Sequence, residues 1–232
     1  KYIVNFNSKS FNIDILSGKF SITDIHLNCN EINNLIKIPS GLQINQAYCS
    51  HINLHIENIS DISELKIHID IGTLKLYIVN SKNRHFNIIE NQISIPKIFL
   101  ENVIVRIDKI LILLKILNSD TLVLSLKKLT ITNNKCNNNF ISKKFDIEET
   151  SIYFFDGNDQ IILIHSNPII SYIDCIYNEN ILNTINMKLT LYNPLEMPWN
   201  NSVWTSISKF CLNLRHSINI EDNSLKTIFN YW

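Results

Sequence analysis

The side chains that could do chemistry are few, and their spacing closes no recognised motif. Cys49, His51 and His55 follow one another along one predicted strand, and His68 is placed to lie across a hairpin from them. Zinc favours such ligands, but a zinc site also needs a fourth ligand or a closed spacing motif. We therefore predict that these side chains are polar surface positions and that the chain binds no metal.

Acidic residues cluster at Asp146, Glu148 and Glu149. A carboxylate pair that works as acid and base needs burial to shift a pKa, whereas these residues occupy polar positions of a predicted strand. The sequence also lacks a nucleophile elbow, a phosphate-binding glycine loop and a zinc-protease motif. It predicts a protein that is not an enzyme and uses no cofactor.

Composition favours a folded chain with a large apolar surface. Hydrophobic residues make up 45 % of the 232 residues, and 21 basic side chains balance 21 acidic ones. Nucleic-acid binders usually carry a basic excess, so we expect no nucleic-acid partner. Five cysteines without a C-x-x-C pair favour a reducing compartment. The chain begins at Lys1 and shows neither a signal peptide nor a transmembrane stretch, so we expect a piece of a longer cytoplasmic protein.

The elements that must position these residues are strands. Apolar and polar residues alternate with a period of two, which is typical of strands with one apolar and one polar face. Abundant isoleucine, which is β-branched, supports strands over helices. The alternation predicts strands at residues 11–15, 52–56, 65–71, 103–107, 122–126, 152–154, 187–191 and 210–214.

The alternation is interrupted within several strands. The apolar residues Phe20 and Ile22 have even numbers, whereas the next one, Ile25, has an odd number. The same change occurs between Leu126 and Leu129. An extra residue of this kind indicates a β-bulge, which bends a strand and raises its twist. Recurring bulges predict a sheet that curls.

Breaks and helices complete the predicted organisation. Turns or loops are expected at 81–84, 133–139 and 156–159, and Pro96 is expected to begin a strand. Short helices are predicted at 30–36 and 222–232. The apolar segment 194–204 is predicted to be a loop that either touches a membrane or partner, or packs over the end of the sheet.

An extended apolar face of this size cannot be left in water. Three kinds of layer could cover it, namely a second sheet, packed helices or lipid chains. The predicted helices are too few to cover the face. Pattern alone favours a second sheet, which would give an ordinary β-sandwich.

The first eighty residues nevertheless resemble the chorein-type N-terminal region of bridge-like lipid transfer proteins, the vacuolar protein sorting thirteen and chorein superfamily. The similar segments, in order, are 2–6, 16–19, 22–27, a short helix, 38–39, 42–49 and 52–56. Segment 38–56 is most similar to subgroup three of the family. The family usually has Pro-Trp after this strand, where Glu57-Asn58 stands here.

The resemblance implies a mainly β fold, in which a curled antiparallel sheet with short helices forms an open hydrophobic trough, a repeating β-groove. Resemblance and patterning together predict a chorein-type region (1–80), a connecting segment (81–97), a continuation of the groove (98–217) and an amphipathic helix (218–232). It also implies glycerophospholipid transfer between membranes, with phospholipids, membrane surfaces at contact sites and protein adaptors as partners. A closed β-sandwich for protein interaction and a single-lipid carrier with a sealed cavity stay open as alternatives.

Strand parity selects the residues that would line such a groove. The predicted set is Phe11, Ile13, Ile15, Phe20, Ile22, Ile44, Ile52, Leu54, Ile56, Leu65, Ile67, Ile69, Ile71, Val103, Val105, Leu122, Leu124, Leu126, Ile152, Phe154, Met187, Leu189, Leu191, Leu212 and Leu214. The protein is expected at organelle contact sites as a peripheral membrane protein.

Overall fold

One large sheet dominates the computed structural model of the chain. The structure describes residues 2–4, 10–35, 41–58, 65–80, 101–115, 121–137, 140–156, 159–166, 168–178, 181–191 and 201–217. The strands are β1 (Ile3–Val4), β2 (Phe11–Asp14), β3 (Lys19–Leu27), β4 (Leu42–Glu57), β5 (Lys66–Asn80), β6 (Val103–Lys115), β7 (Thr121–Asn137), β8 (Phe140–Asp156), β9 (Asp159–Ser166), β10 (Ile169–Asn178) and β11 (Ile181–Leu191). The helices are α1 (Cys29–Leu35) and α2 (Asn201–Ser217).

The described strands form one curled sheet that does not close on itself. Its order is β1-β3-β4-β5-β6-β7-β8-β10-β11, with β2 on the same edge of β3 as β1, and β9 on the same edge of β8 as β10. The prediction of a mainly β, curled and open sheet is confirmed. The predicted antiparallel pairing holds for every described pair except β5 and β6, which are parallel. A parallel step needs a connection of a dozen or more residues, and residues 81–102 supply that length.

The strands that form the middle of the sheet change parity along one shared line. Left-handed backbone occurs at Asp24 and Lys128, which are the positions where the sequence predicted interruptions. In each neighbouring strand, two consecutive residues separate the apolar residues at the matching position, and we call this pair a two-residue polar step. The pairing register therefore stays constant across these points, both between β3 and β4 and between β7 and β8. We call this row the polar crease: Thr23-Asp24, Ser50-His51, Gly72-Thr73, Asp108-Lys109, Lys127-Lys128 and Glu148-Glu149.

Short-range contacts hold the polar crease. The Thr73 amide donates a hydrogen bond of 2.8 Å to Ser50 Oγ, so a side chain replaces a rung of the backbone ladder. Gly72 is buried there, with the Ser50 hydroxyl and the His51 ring occupying the space that a side chain would need. Because the bends of neighbouring strands are aligned, the sheet curls along one line, and the crease divides each strand from β3 to β8 into two parts.

Helix α1 is anchored to β4 at a second irregularity. Asn28 Oδ1 accepts the amides of Asn30 and Glu31, which is the usual cap of a helix N-terminus. Asn33 donates to the Ile44 carbonyl and accepts from the Ile44 amide, both at 2.8 Å. Because the register of β4 shifts directly after Ile44, the buried amide side chain satisfies backbone groups at a bulge. The helix predicted at 30–36 is confirmed in type, beginning one residue earlier.

Three sequence predictions about elements are wrong. Residues 133–137, predicted as loop, continue β7 because they pair with 140–143 of β8 across a one-residue bulge. Residues 210–214, predicted as a strand, lie in α2, where Val203, Ile207, Phe210 and Leu214 recur at helical spacing and pack together on the sheet. Residues 201–204 of the predicted apolar loop also belong to α2.

Several predictions fall outside the described residues. They are the break at 81–84, the strand beginning at Pro96, the connecting segment 81–97, the loop residues 194–199 and the helix at 218–232. The turn at 156–159 is supported by its flanks, since Asp156 and Asp159 pair as the last residues of a two-residue hairpin.

We expect Gly72→Ala to destabilise the fold, because the added methyl meets the Ser50 hydroxyl and the His51 ring. Overpacking of this kind lowers the free energy of unfolding by about 1–3 kcal/mol. The midpoint of urea denaturation, followed by circular dichroism, measures the effect. The control is Thr73→Ala at the adjacent position, which removes atoms instead of adding them. Equal midpoints for Gly72→Ala and the unmodified chain would contradict the close packing of the polar crease.

Candidate functional site

The candidate site is an apolar face that crosses the sheet at right angles to its strands. On one side of the polar crease, a single transverse row of cross-strand partners is apolar in nine strands, from β2 to β11. Cross-strand partners present their side chains on the same face. The row consists of Phe11, Ile22, Ile52, Ile71, Ile107, Leu129, Ile147 and Ile169, with Leu191 as the Cα partner of Ile169.

A second row runs parallel to the first, two residues farther from the polar crease. Its members are Ile13, Phe20, Leu54, Ile69, Val105, Ile131 and Phe145, and Ser171 is the first polar member. Ile56, Ile67 and Val103 begin a third row. We call this side of the crease wall one.

The other side of the polar crease, wall two, carries a matching apolar field. Its rows are Ile25, Cys49, Leu74, Ile110 and Leu126, then Ala47, Leu76, Ile112, Leu124 and Ile152, then Ile44, Ile78, Leu114, Leu122 and Phe154. The two-residue step of the crease resets the alternation in each of these strands, so that apolar side chains on both walls return to one face.

Most of this face lacks the burial of a protein core. The seven isoleucine and leucine residues of the first row that span β3 to β10 are each only partly buried. The described residues form one sheet, and none of them makes a second sheet that faces this surface. Apolar side chains at this level of exposure favour an additional apolar cover.

Protein covers part of wall two. Phe154, Val203 and Phe210 are 1 %, 2 % and 6 % exposed and form the one buried cluster found among the described residues. The rings of Phe154 and Phe210 lie 5.3 Å apart and are tilted by 54°, an arrangement that aromatic pairs favour. Leu114, Leu122 and Ile152 of wall two complete the contact.

The opposite face of wall one is polar and charged. Asp70 lies 3.8 Å from Arg106, and Glu57 lies 3.8 Å from His55 and 3.5 Å from His68. A shallow cleft of about 440 Å³ on this face is lined mainly by polar residues, including Asn12, Lys19 and Asn53. A sheet with one apolar and one polar face matches the predicted alternation.

The predicted groove residues divide into four groups. Phe11, Ile13, Phe20, Ile22, Ile52, Leu54, Ile56, Ile67, Ile69, Ile71, Val103 and Val105 fall on wall one, and Ile44, Leu122, Leu124, Leu126, Ile152 and Phe154 fall on wall two. Met187, Leu189 and Leu191 are the Cα partners of Ile173, Ser171 and Ile169. The remaining four residues are Ile15, Leu65, Leu212 and Leu214.

Those four residues do not belong to a strand of this face. Ile15 lies in the turn after β2 and is 76 % exposed, and Leu65 precedes β5. The turn is closed by a hydrogen bond of 3.2 Å from the Ser17 amide to Asp14, and hydrogen bonding by Ser17 lowers the pKa of that carboxyl. Leu212 and Leu214 were placed on a strand wrongly, since α2 exposes Leu212 and packs Leu214 against the buried cluster.

Sequence reasoning missed about as much of the face as it found. It left out the wall-two part of β5 and β6 and the wall-one part of β7, β8 and β10. The signal was present in the spacing, because two polar residues separate apolar ones at Ile71 and Leu74 and again at Ile107 and Ile110. The missed residues are Ile25, Ala47, Cys49, Leu74, Leu76, Ile78, Ile107, Ile110, Ile112, Leu114, Leu129, Ile131, Phe145, Ile147, Ile169 and Ile173.

The prediction that Cys49 is a polar surface position is wrong, because the residue is buried in wall two, whereas the other polar residues singled out in the sequence are partly or fully exposed. Among the described residues, no group of three His, Cys, Asp or Glu side chains could hold a metal ion. Cys49 is buried and its Sγ lies 3.2 Å from the His51 carbonyl. Glu149, Glu148 and Asp146 each lie 2.7 Å from a lysine, as parts of surface ion pairs. Such pairs contribute little to stability.

No family model matches the chain, and no curated protein does either. Within the described ranges, neither helix has the length and apolar character needed to cross a bilayer.

Thiol reactivity tests the burial of wall two beside the polar crease. Burial raises the pKa of the Cys49 thiol, with a smaller opposing effect from its hydrogen bond to His51. A raised pKa leaves less thiolate at a given pH, and thiolate is the reactive species. At pH 8 we expect iodoacetamide to modify exposed Cys211 well before Cys49, measured by peptide mass spectrometry. Equal rates in the native chain, with the unfolded chain as control, would contradict this packing.

Proposed function

We propose that the chain is the N-terminal part of a bridge-like lipid transfer protein, which moves glycerophospholipids along an apolar groove between membranes at contact sites. The observation that carries the proposal is the unbroken apolar row through nine strands, from Phe11 to Leu191. The row runs across the strands, and so along the direction in which strands are added. A cargo resting on it can therefore pass from strand to strand.

Acyl chains suit this face energetically. Each methylene group removed from water contributes about 0.8 kcal/mol, so a chain of ordinary length gains enough to leave water. The isoleucine and leucine side chains of wall one offer no hydrogen bonds along the row, and the contact has no preferred position. A lipid can shift by one strand without breaking a directional bond, which transport requires and tight specific binding would prevent.

Headgroups remain in water at the open side of the curled sheet in this mechanism. Because the sheet is not closed, a phosphate-bearing group need not enter an apolar interior, where an unpaired charge is costly. The polar outer face, with its Asp70–Arg106 and Glu57–His68 pairs, keeps the sheet hydrated. A net charge of zero gives no general attraction to anionic membranes, so the proposed contact-site localisation depends on adaptors or on other parts of the protein.

The two alternatives fit the described residues less well. A closed β-sandwich needs a second sheet, and the strands described here all belong to one. A sealed single-lipid carrier needs a closed cavity, whereas this sheet is open and the described part of β11 pairs only with β10. Bound phospholipid on the purified chain would exclude the protein-interaction alternative.

Adjacent residues on opposite faces of β4 test the proposal. Leu54 lies on wall one, and Asn53 is its exposed neighbour on the polar face. Leu54→Asp is expected to reduce extraction of fluorescent phospholipid from liposomes by at least about tenfold, because an acyl chain would have to desolvate the carboxylate. Asn53→Asp introduces the same side chain and the same charge change and is expected to leave extraction unchanged.

A second variant applies the test to wall two. Leu124→Asp is also expected to reduce extraction, with the far-ultraviolet circular dichroism spectrum used to establish that each variant keeps its strands. If Leu54→Asp and Leu124→Asp both extract lipid as well as the unmodified chain does, acyl chains do not rest on this face and the proposal fails.

A further inference from the structure

Helix α2 lies on the surface that the proposed function assigns to acyl chains. Its buried side packs on Leu114, Leu122, Ile152 and Phe154 of wall two. Leu114, Leu122 and Phe154 are cross-strand partners in one row, and Ile152 is the partner of Leu124 in the next. The helix therefore covers two neighbouring apolar rows of β6, β7 and β8.

The helix covers this surface with the same chemistry that an acyl chain would use. Val203, Ile207, Phe210 and Leu214 recur at intervals of four, three and four residues, so they form one stripe along the helix. All the residues in the buried cluster and those packed against it are aliphatic or aromatic. Such a contact is non-directional and is set by the apolar area removed from water, so hydrocarbon can substitute for it.

Apolar side chains also lie outside the buried stripe of α2. Trp204 is 47 % exposed and Leu212 is 57 % exposed, and both lie away from the buried stripe. With 17 residues the helix is about 26 Å long, and most of the stability of a helix in a protein comes from the packing of its apolar face. A helix with a buried stripe and exposed Trp and Leu can exchange the sheet for the interface of a bilayer, where amphipathic helices bind.

We propose that α2 is a displaceable cover of wall two, which competes with phospholipid acyl chains for the surface around Phe154. This inference rests on the proposed function, because it takes the apolar face to be the lipid site. In the unloaded chain the helix shields wall two from water. When lipid enters, acyl chains replace Val203 and Phe210 against Phe154, and the helix leaves.

Hydrogen exchange on the unmodified chain tests the displacement. The chain is incubated with dioleoylphosphatidylcholine vesicles and separated from them by flotation, and native mass spectrometry then counts bound lipid. In lipid-loaded protein, amide exchange across residues 201–217 is expected to rise at least about fivefold, because the helix loses the packing that protects it. Exchange across β4 (Leu42–Glu57) is expected to stay the same or fall.

The outcomes separate the two proposals. Loaded protein in which 201–217 exchanges no faster than in the unloaded chain overturns the displaceable cover and leaves the lipid site standing. A chain that takes up no phospholipid overturns the proposed function, and the cover with it.

Paired variants of α2 provide a second test. Val203→Ser with Phe210→Ser weakens the buried stripe and is expected to raise lipid uptake about twofold or more, since a competitor for the same apolar area has been removed. Lys209→Ser with Cys211→Ser changes two exposed positions of α2 that neither pack on wall two nor are invoked for the bilayer interface, and is expected to leave uptake within that margin. Equal or lower uptake by the first pair, in protein that keeps its β-sheet circular dichroism signal, contradicts competition. If that pair does not fold, the exchange experiment decides alone.

Discussion

The structure depends on one constraint, which is that neighbouring strands must interrupt their alternation at the same row. A strand that slipped by one residue, or lacked its two-residue polar step, would turn its apolar side chains to the opposite face. The Thr73–Ser50 hydrogen bond, the close approach at Gly72 and the Lys127–Glu149 and Lys128–Glu148 pairs all lie on that row. Because the step occurs in register from β3 to β8, the apolar rows of both walls remain continuous while the sheet bends.

A continuous apolar face on an open sheet has a physical consequence for any cargo. Burial of hydrocarbon on this face is favourable, but no position along it is preferred, because its rows contain almost no hydrogen-bonding side chains. Polar selectivity, if the cargo is a phospholipid, is confined to the open side and to the few polar members such as Thr150 and Ser171. The same lack of direction lets a helix of the chain compete for the surface, and α2 occupies part of it. Cover by protein and cover by lipid are therefore alternatives of similar chemistry.

Much of this arrangement follows from the sequence, and the failures have identifiable causes. Period-two alternation predicted strands that overlap β2 to β8 and β11, but not β1, β9 or β10. The parity change from Ile22 to Ile25 predicted the bend later seen as a positive φ at Asp24. The alternation of Phe210, Leu212 and Leu214 misled because five residues fit a strand and a helix alike, and only the longer spacing from Val203 to Leu214 separates them. Residues 133–137 were predicted as loop because asparagine favours turns, but pairing with β8 overrode that local preference. The parallel pairing of β5 with β6 depends on contacts distant in sequence, which no local pattern reports.

The central claim is that hydrocarbon rests on the apolar rows, and the most direct measurement is to map where an acyl chain touches the protein. A phospholipid with a diazirine at the end of one acyl chain can be loaded from vesicles, photolysed and located by peptide mass spectrometry. The account predicts adducts at apolar positions of several strands on both sides of the polar crease, among them Leu54, Ile69 and Leu124, and none at Asn53 or Arg106 on the outer face. Adducts spread evenly over both faces, or confined to one closed spot, would contradict it.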